Sequence, residues 1–164
     1  EWSYENVMTK ADCIIVNYRY SVLDSYISLM KAMQTKKWLT KVYNPEYDNK
    51  ILWNKDWFTD YAIERYRGSY DRIKETLLKL GKPYMVVKYE DFFNPNIDKR
   101  KYLSESLSAT GVFDTTETEK LLSNYKPKTI KQSKPRKFYE DCFSNPEEFK
   151  KNYHEIKHLT TYAY

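Results

Sequence analysis

Glycine is nearly missing from this chain: Gly68, Gly81 and Gly111 are the only three among 164 residues. None is next to another, and none falls between a strand and a helix in the order that a phosphate-cradling loop requires, which excludes a Gly-rich nucleotide loop from this sequence. Long apolar runs are missing as well. Nothing approaches the ~18 consecutive apolar residues that a membrane span needs. The opening Glu1-Trp2-Ser3-Tyr4-Glu5 has neither the basic start nor the apolar centre of a signal peptide. Cysteine and histidine number two each. Cys13 lies in an apolar stretch and Cys142 in a distant charged one, too few for a disulfide framework or a metal cluster. The expectation is a reduced, cytoplasmic compartment and no metal.

Charged residues make up 31% and apolar residues 41%, the balance of a globular protein, and the length fits a single domain spanning 1–164 with one core. The net charge of +5 is not spread evenly. Lys126, Lys128, Lys131, Lys134, Arg136 and Lys137 share one acid-free segment, and removing those six charges takes the net from +5 to −1. The positive charge is local, and so is any anion it attracts. Tyrosine, with 17 copies, points to no particular function.

The most informative stretch follows the apolar run Cys13-Ile14-Ile15-Val16. That run reads as a buried strand over about 11–17, and residues 21–36 read as a helix. Val22, Leu23, Tyr26, Ile27, Leu29, Met30 and Met33 make one apolar face of that helix. Ser21, Ser25, Ser28, Ala32 and Thr35 line the opposite side with small residues. Arg19 stands where the strand ends and the helix begins, the place at which open α/β sheets bind ligands. Two readings follow. Arg19 and a serine hydroxyl form an anion site helped by the helix N-terminus, or the small stripe packs against another helix and Arg19 is a surface cation.

Residues 39–55 carry turn signals and read as a surface connection. Phe58, Ala62, Tyr66, Tyr70, Ile73, Leu77 and Leu80 then recur at steps of three and four, predicting a long helix from Asp56 that Gly81 ends and Pro83 seals. Tyr84-Met85-Val86-Val87 is a second strand, parallel to the first across this helical crossover. At its carboxyl end stand Tyr89-Glu90-Asp91, which read either as acids that neutralise nearby cations and cap the next turn or as groups of a catalytic site, with neither assigned as acid or base. Asn94-Pro95 opens a helix to about Ala109, Thr116-Glu117-Thr118-Glu119 a capping box for a short helix, and Asn145-Pro146 a final helix through Phe149, Tyr153 and Ile156. The basic segment 126–137 has two prolines and no periodicity, and reads as a loop.

Arg19, Leu23, Ser28, Ala32, Gln34-Thr35 and Trp38 together resemble the pattern of sulfotransferases, in particular the bacterial and viral branch. The Tyr89-Glu90-Asp91 triplet is similar to the one that closes an equivalent strand there. Lys131-Gln132-Ser133 resembles the Lys-Gln element of that family's C-terminal basic loop, with Asn145 fitting further on. The resemblance implies an α/β, P-loop-NTPase-like sulfotransferase fold, helix-rich with a parallel sheet. It implies a sulfuryl transfer from 3′-phosphoadenosine-5′-phosphosulfate (PAPS) to a hydroxyl or amine acceptor, a carbohydrate or small molecule. Arg19 and Ser28 would hold the donor's 3′-phosphate, with Lys131, Gln132, Lys134 and Arg136 closing over it. One departure is in register: Arg19 to Ser28 is nine positions, whereas many members have eight, which would put Tyr20 in the arginine's place. The family's N-terminal strand and phosphosulfate loop have no counterpart here, so the expectation is a fragment of a longer protein, with the catalytic base unassigned.

Two other readings compete. His154-Glu155-Ile156-Lys157-His158 matches H-E-x-x-H, the zinc-protease pattern. No third ligand follows, and Lys150, Lys151 and Lys157 make that helix wet. A polyanion or nucleic-acid binder would use the basic loop with Phe138 and Tyr139, against which stands the −1 balance elsewhere in the chain.

Overall fold

The computed structural model describes residues 4–36, 49–92, 94, 96–123 and 138–164. Their contacts group them into two compact units.

The first unit takes the described residues up to Tyr20, those from Ser69 to Ser123, and Tyr164. In it β1 (Ile14–Tyr18) pairs in parallel with β2 (Tyr84–Lys88), Ile14 opposite Tyr84 and Tyr18 opposite Lys88. The two apolar runs thus form the parallel pair their spacing predicts, in a helix-rich α/β setting. Alternate side chains leave a strand on opposite faces. On one face Val16 packs with Met8 of α1 (Tyr4–Lys10) and Leu77 of α4 (Gly68–Leu80), joined by Ile14, Tyr70, Ile73 and Tyr84. On the other, Met85 and Val87 pack with Leu107 of α6 (Lys99–Ser108) and with Leu122 of α7 (Thr115–Ser123). Ile15, opposite Met85 on that second face, is 58% exposed. β1 is therefore only half-buried rather than enclosed. Among the described residues the sheet has two strands, and α6 and α7 pack against the β2 side of this face.

The 3–4 spacing of apolar residues is realised almost to the residue. Helix runs over 55–80 as α3 (Lys55–Asp60), a π-helical stretch Tyr61–Arg67 and α4. Gly81 then takes the left-handed φ of +58° that ends a helix without a Cβ penalty. After β2 the chain turns at once into the short α5 (Tyr89–Phe92).

Two helix starts differ from expectation. α6 begins at Lys99, not at Asn94-Pro95, because Asp98 accepts the N–H groups of Arg100 and Lys101 at 2.9 and 3.2 Å. Asn94 instead closes its own turn on the Asn96 N–H at 3.0 Å. The capping box of α7 lies two residues earlier than Thr116–Glu119. Asp114 accepts the Glu117 N–H at 2.8 Å, and Glu117 accepts the Asp114 N–H at 3.1 Å.

The second unit holds the described residues of 21–68 and 138–163. Its core is aromatic: Trp53, 1% exposed, is ringed by Tyr26, Phe58, Phe143 and Phe149 at centroid distances of 6.1, 5.4, 5.1 and 5.0 Å. Phe149 comes from α8 (Pro146–Ile156), the predicted final helix. In the described part of the expected surface connection Ile51 and Trp53 are therefore core, while Asn49, Lys50 and Leu52 are exposed. Ile51 N–H donates to the Cys142 carbonyl at 3.0 Å, and Ser144 N–H donates to the Ile51 carbonyl at 2.8 Å. Asn145 extends that short ladder with its side chain, accepting the Trp53 N–H at 2.7 Å and donating to the Trp53 carbonyl at 3.0 Å. Residues 37–48 lie outside the described residues.

Helix α2 (Val22–Thr35) matches its predicted span, with Ser21 as N-cap accepting the Asp24 N–H at 3.1 Å. Its buried face is only partly the predicted one. Val22, Leu23, Tyr26 and Ile27 are buried, but Met33 is 54% exposed, while Lys31 and Ala32 are 6% exposed. The burial passes to the small-residue side in the helix's second half.

Candidate functional site

The carboxyl ends of β1 and β2 lie side by side, since Tyr18 is opposite Lys88. Arg19 follows β1 directly, and its guanidinium carbon sits 3.9 Å from the centroid of the Tyr89 ring. A cation over a ring face is held by the ring's quadrupole, while the five guanidinium N–H donors lie in the guanidinium's own plane. One residue further, the Tyr20 N–H donates to Glu90 Oε2 at 2.9 Å. Lys88 Nζ lies 5.0 Å from the Tyr20 ring centroid and 3.6 Å from Asp91 Oδ1. Asp91 thus neutralises a neighbouring cation as its position predicts, whereas Glu90 fastens a backbone turn.

On α2, in the second unit, the hydroxyls of the small-residue stripe all have internal partners. Ser28 Oγ donates to the Asp24 carbonyl at 2.8 Å, Thr35 Oγ1 to the Lys31 carbonyl at 2.9 Å, and Ser25 Oγ shares a 2.8 Å bond with the Tyr61 hydroxyl. Tyr139 Oη donates to Asp24 Oδ2 at 3.1 Å and lies 3.3 Å from Ser21 Oγ. Ser25 therefore follows the packing reading of the stripe, against the π-helical stretch. For Ser28 to donate to a phosphate, its proton must leave the Asp24 carbonyl, an exchange of about 1 kcal/mol.

Arg19 belongs to the first unit and Ser28 to the second. Lys131, Gln132, Lys134 and Arg136 lie outside the described residues. Asn145, expected near the helix that follows the basic loop, gives its amide to the Trp53 backbone and to Glu148 Oε2 at 2.5 Å. Tyr61 was not singled out by sequence reasoning, and Tyr139 only as an aromatic of the polyanion-binding reading, not as a partner of α2. Their partners are 36 and 118 residues away, a separation at which no local pattern gives a signal.

A hollow of about 380 Å³ in the second unit is lined by Met30, Met33, Gln34, Ile51, Leu52 and Trp57. At about 100° per residue, Met30 and Met33 point roughly 140–160° away from Ser28 around the helix axis. The hollow is thus no part of the Ser28 face.

The H-E-x-x-H pattern does not assemble. His154 is in α8, but the helix ends at Ile156 and His158 lies in a 3-10 turn, Lys157–Leu159. Glu155 pairs with Lys55 at 2.9 Å; that hydrogen bond, and then the carboxylate's charge, hold the Lys55 ammonium above its usual pKa. Among the described residues no group of three or more His, Cys, Asp or Glu is placed to hold a metal ion, and no helix is long and apolar enough to cross a membrane.

None of the protein-family models, curated proteins or solved structures with which the chain was compared matches it.

Proposed function

We propose that this chain carries the donor-binding part of a sulfotransferase, with Arg19 as ligand of the 3′-phosphate of PAPS. The observation that supports the reading is the setting of Arg19: a cation at the carboxyl end of a parallel strand, stacked on Tyr89 at the end of the neighbouring strand. This is the edge of an α/β sheet at which ligands bind. An arginine held by its face keeps a fixed plane for bidentate contact with phosphate oxygens. The carboxylates of Glu90 and Asp91 have partners in the Tyr20 N–H and the Lys88 ammonium, which offsets their repulsion of an anion.

The remaining assignments rest on the sequence pattern: Ser28 as a hydroxyl donor, and Lys131, Gln132, Lys134 and Arg136 as further contacts. When bound, PAPS supplies an activated sulfuryl group on a phosphate leaving group. Charge grows on that phosphate in the transition state, so fixed cations around the nucleotide lower the barrier. Arg19, Ser28 and the basic segment orient the nucleotide end and perform no proton transfer themselves. The acceptor is a hydroxyl or amine compound.

The test is equilibrium binding of adenosine 3′,5′-bisphosphate to the wild-type chain, Arg19→Ala, Ser28→Ala and Lys131→Ala. Loss of a charge-assisted bidentate contact weakens binding by ~10- to 100-fold for Arg19→Ala, with a smaller loss for the other two. Equal binding by all four chains removes these residues from the site.

A further inference from the structure

We propose that Glu90 is the positioning residue for Arg19, an inference that rests on reading Arg19 as the phosphate ligand. The ladder between the strands shows why it is needed. The Ile14 N–H donates to the Pro83 carbonyl at 3.1 Å, and in a parallel pair the N–H groups facing the partner recur at every second residue. Val16, Tyr18 and then Tyr20 are next in that series. By Tyr20, however, β2 has already turned into α5 at Tyr89, so the strand carbonyl that would continue the series is replaced. The Glu90 carboxylate takes its place, accepting the Tyr20 N–H at 2.9 Å.

Arg19 is thereby held on both sides. Tyr18 is fixed in the ladder opposite Lys88, Tyr20 is fixed by Glu90, and the guanidinium lies on the ring of Tyr89, the residue before Glu90 in the chain. Without the carboxylate, the turn after β1 loses its tie to β2 and the arginine loses its fixed direction. An arginine that must be ordered at the moment of binding gives up affinity in proportion to the freedom it surrenders. Glu90 acts through the backbone and Arg19; it does not contact the nucleotide.

The experiment compares wild type, Glu90→Ala and Glu90→Gln by NMR, reading the hydrogen exchange of the Tyr20 amide and the ring-current shift of the Arg19 Nε proton. The affinity of each sample for adenosine 3′,5′-bisphosphate is measured alongside. In Glu90→Ala, loss of the hydrogen bond speeds Tyr20 exchange by about tenfold or more, moves the Arg19 signal toward its unstacked position, and weakens bisphosphate binding by about tenfold. Glu90→Gln keeps an acceptor oxygen and removes a negative charge, so it retains both NMR signals and binds at least as tightly as wild type. Should Glu90→Ala fail to fold, Glu90→Asp, one methylene shorter, gives the same comparison. Unchanged Tyr20 exchange and Arg19 shift in the truncated variant, or failure of Glu90→Gln to restore them, overturns the proposal. A wild-type chain with both NMR signals and no affinity for the bisphosphate refutes the donor-site reading while the hold of Glu90 on Arg19 stands.

Discussion

Asn145 precedes Pro146 at the start of α8, yet its side chain makes no bond to that helix's N–H groups. Its amide instead completes a pairing on the backbone of Trp53, accepting at 2.7 Å and donating at 3.0 Å. Trp53 is 1% exposed, so water reaches the vacated groups poorly when Asn145 is truncated. An orphaned buried N–H or carbonyl costs about 1–3 kcal/mol, and partial relaxation at the edge of the core brings the expected total for Asn145→Ala to about 2–4 kcal/mol. Asn145→Asp keeps the acceptor for the Trp53 N–H but sets a second acceptor against the Trp53 carbonyl, so it is destabilising as well. Urea unfolding followed by tryptophan fluorescence measures both variants. A loss below ~0.5 kcal/mol for Asn145→Ala, the level of an ordinary surface substitution, would refute the claim that this side chain continues the Ile51–Phe143 ladder.

Three further outcomes are expected. The Tyr26 hydroxyl is buried with no hydrogen-bond partner among the described residues, and burial pushes its pKa from 10.0 to about 12. The folded chain thus keeps a proton that the unfolded chain gives up. Up to roughly 3 kcal/mol of stability is present below pH 10 and lost as the pH rises to 12, and Tyr26→Phe flattens that loss in alkaline unfolding curves. Lys36 ends α2 at a left-handed φ of 55°, so Lys36→Gly relieves about 1 kcal/mol of backbone strain and raises the melting temperature. Asp98→Ala exposes the two N–H groups it caps in α6 and lowers stability by about 1 kcal/mol, readable as a shift of the urea midpoint.

What the sequence made legible was local pattern. Two short apolar runs placed both strands, and a 3–4 spacing placed the helix over 55–80 nearly to the residue, because each is a local property of the chain. Burial depends on neighbours, and there local reading failed. Ile15 sits in the most apolar run of the chain but is exposed, because β1 has one strand neighbour among the described residues. Ile51 and Trp53 alternate over too few residues to register as a strand, yet they anchor the second unit's core. Asn94-Pro95 and Asn145-Pro146 are equally good helix-start signals in sequence. A competing cap four residues after Asn94 and a buried backbone opposite Asn145 decide what each does. The same limit applies at the candidate site. Arg19 was legible from its place after a strand, whereas the partners that hold it depend on a 70-residue separation.

The most direct test of the donor-site account is calorimetric titration of the wild-type chain with adenosine 3′,5′-bisphosphate and, separately, with 5′-AMP. The two ligands differ only in the 3′-phosphate that Arg19 is proposed to hold. A charge-assisted phosphate contact is worth about 1.5–3 kcal/mol, so the account predicts bisphosphate binding at least about tenfold tighter than that of 5′-AMP. Equal affinities, or none for either ligand in a folded sample, would contradict it.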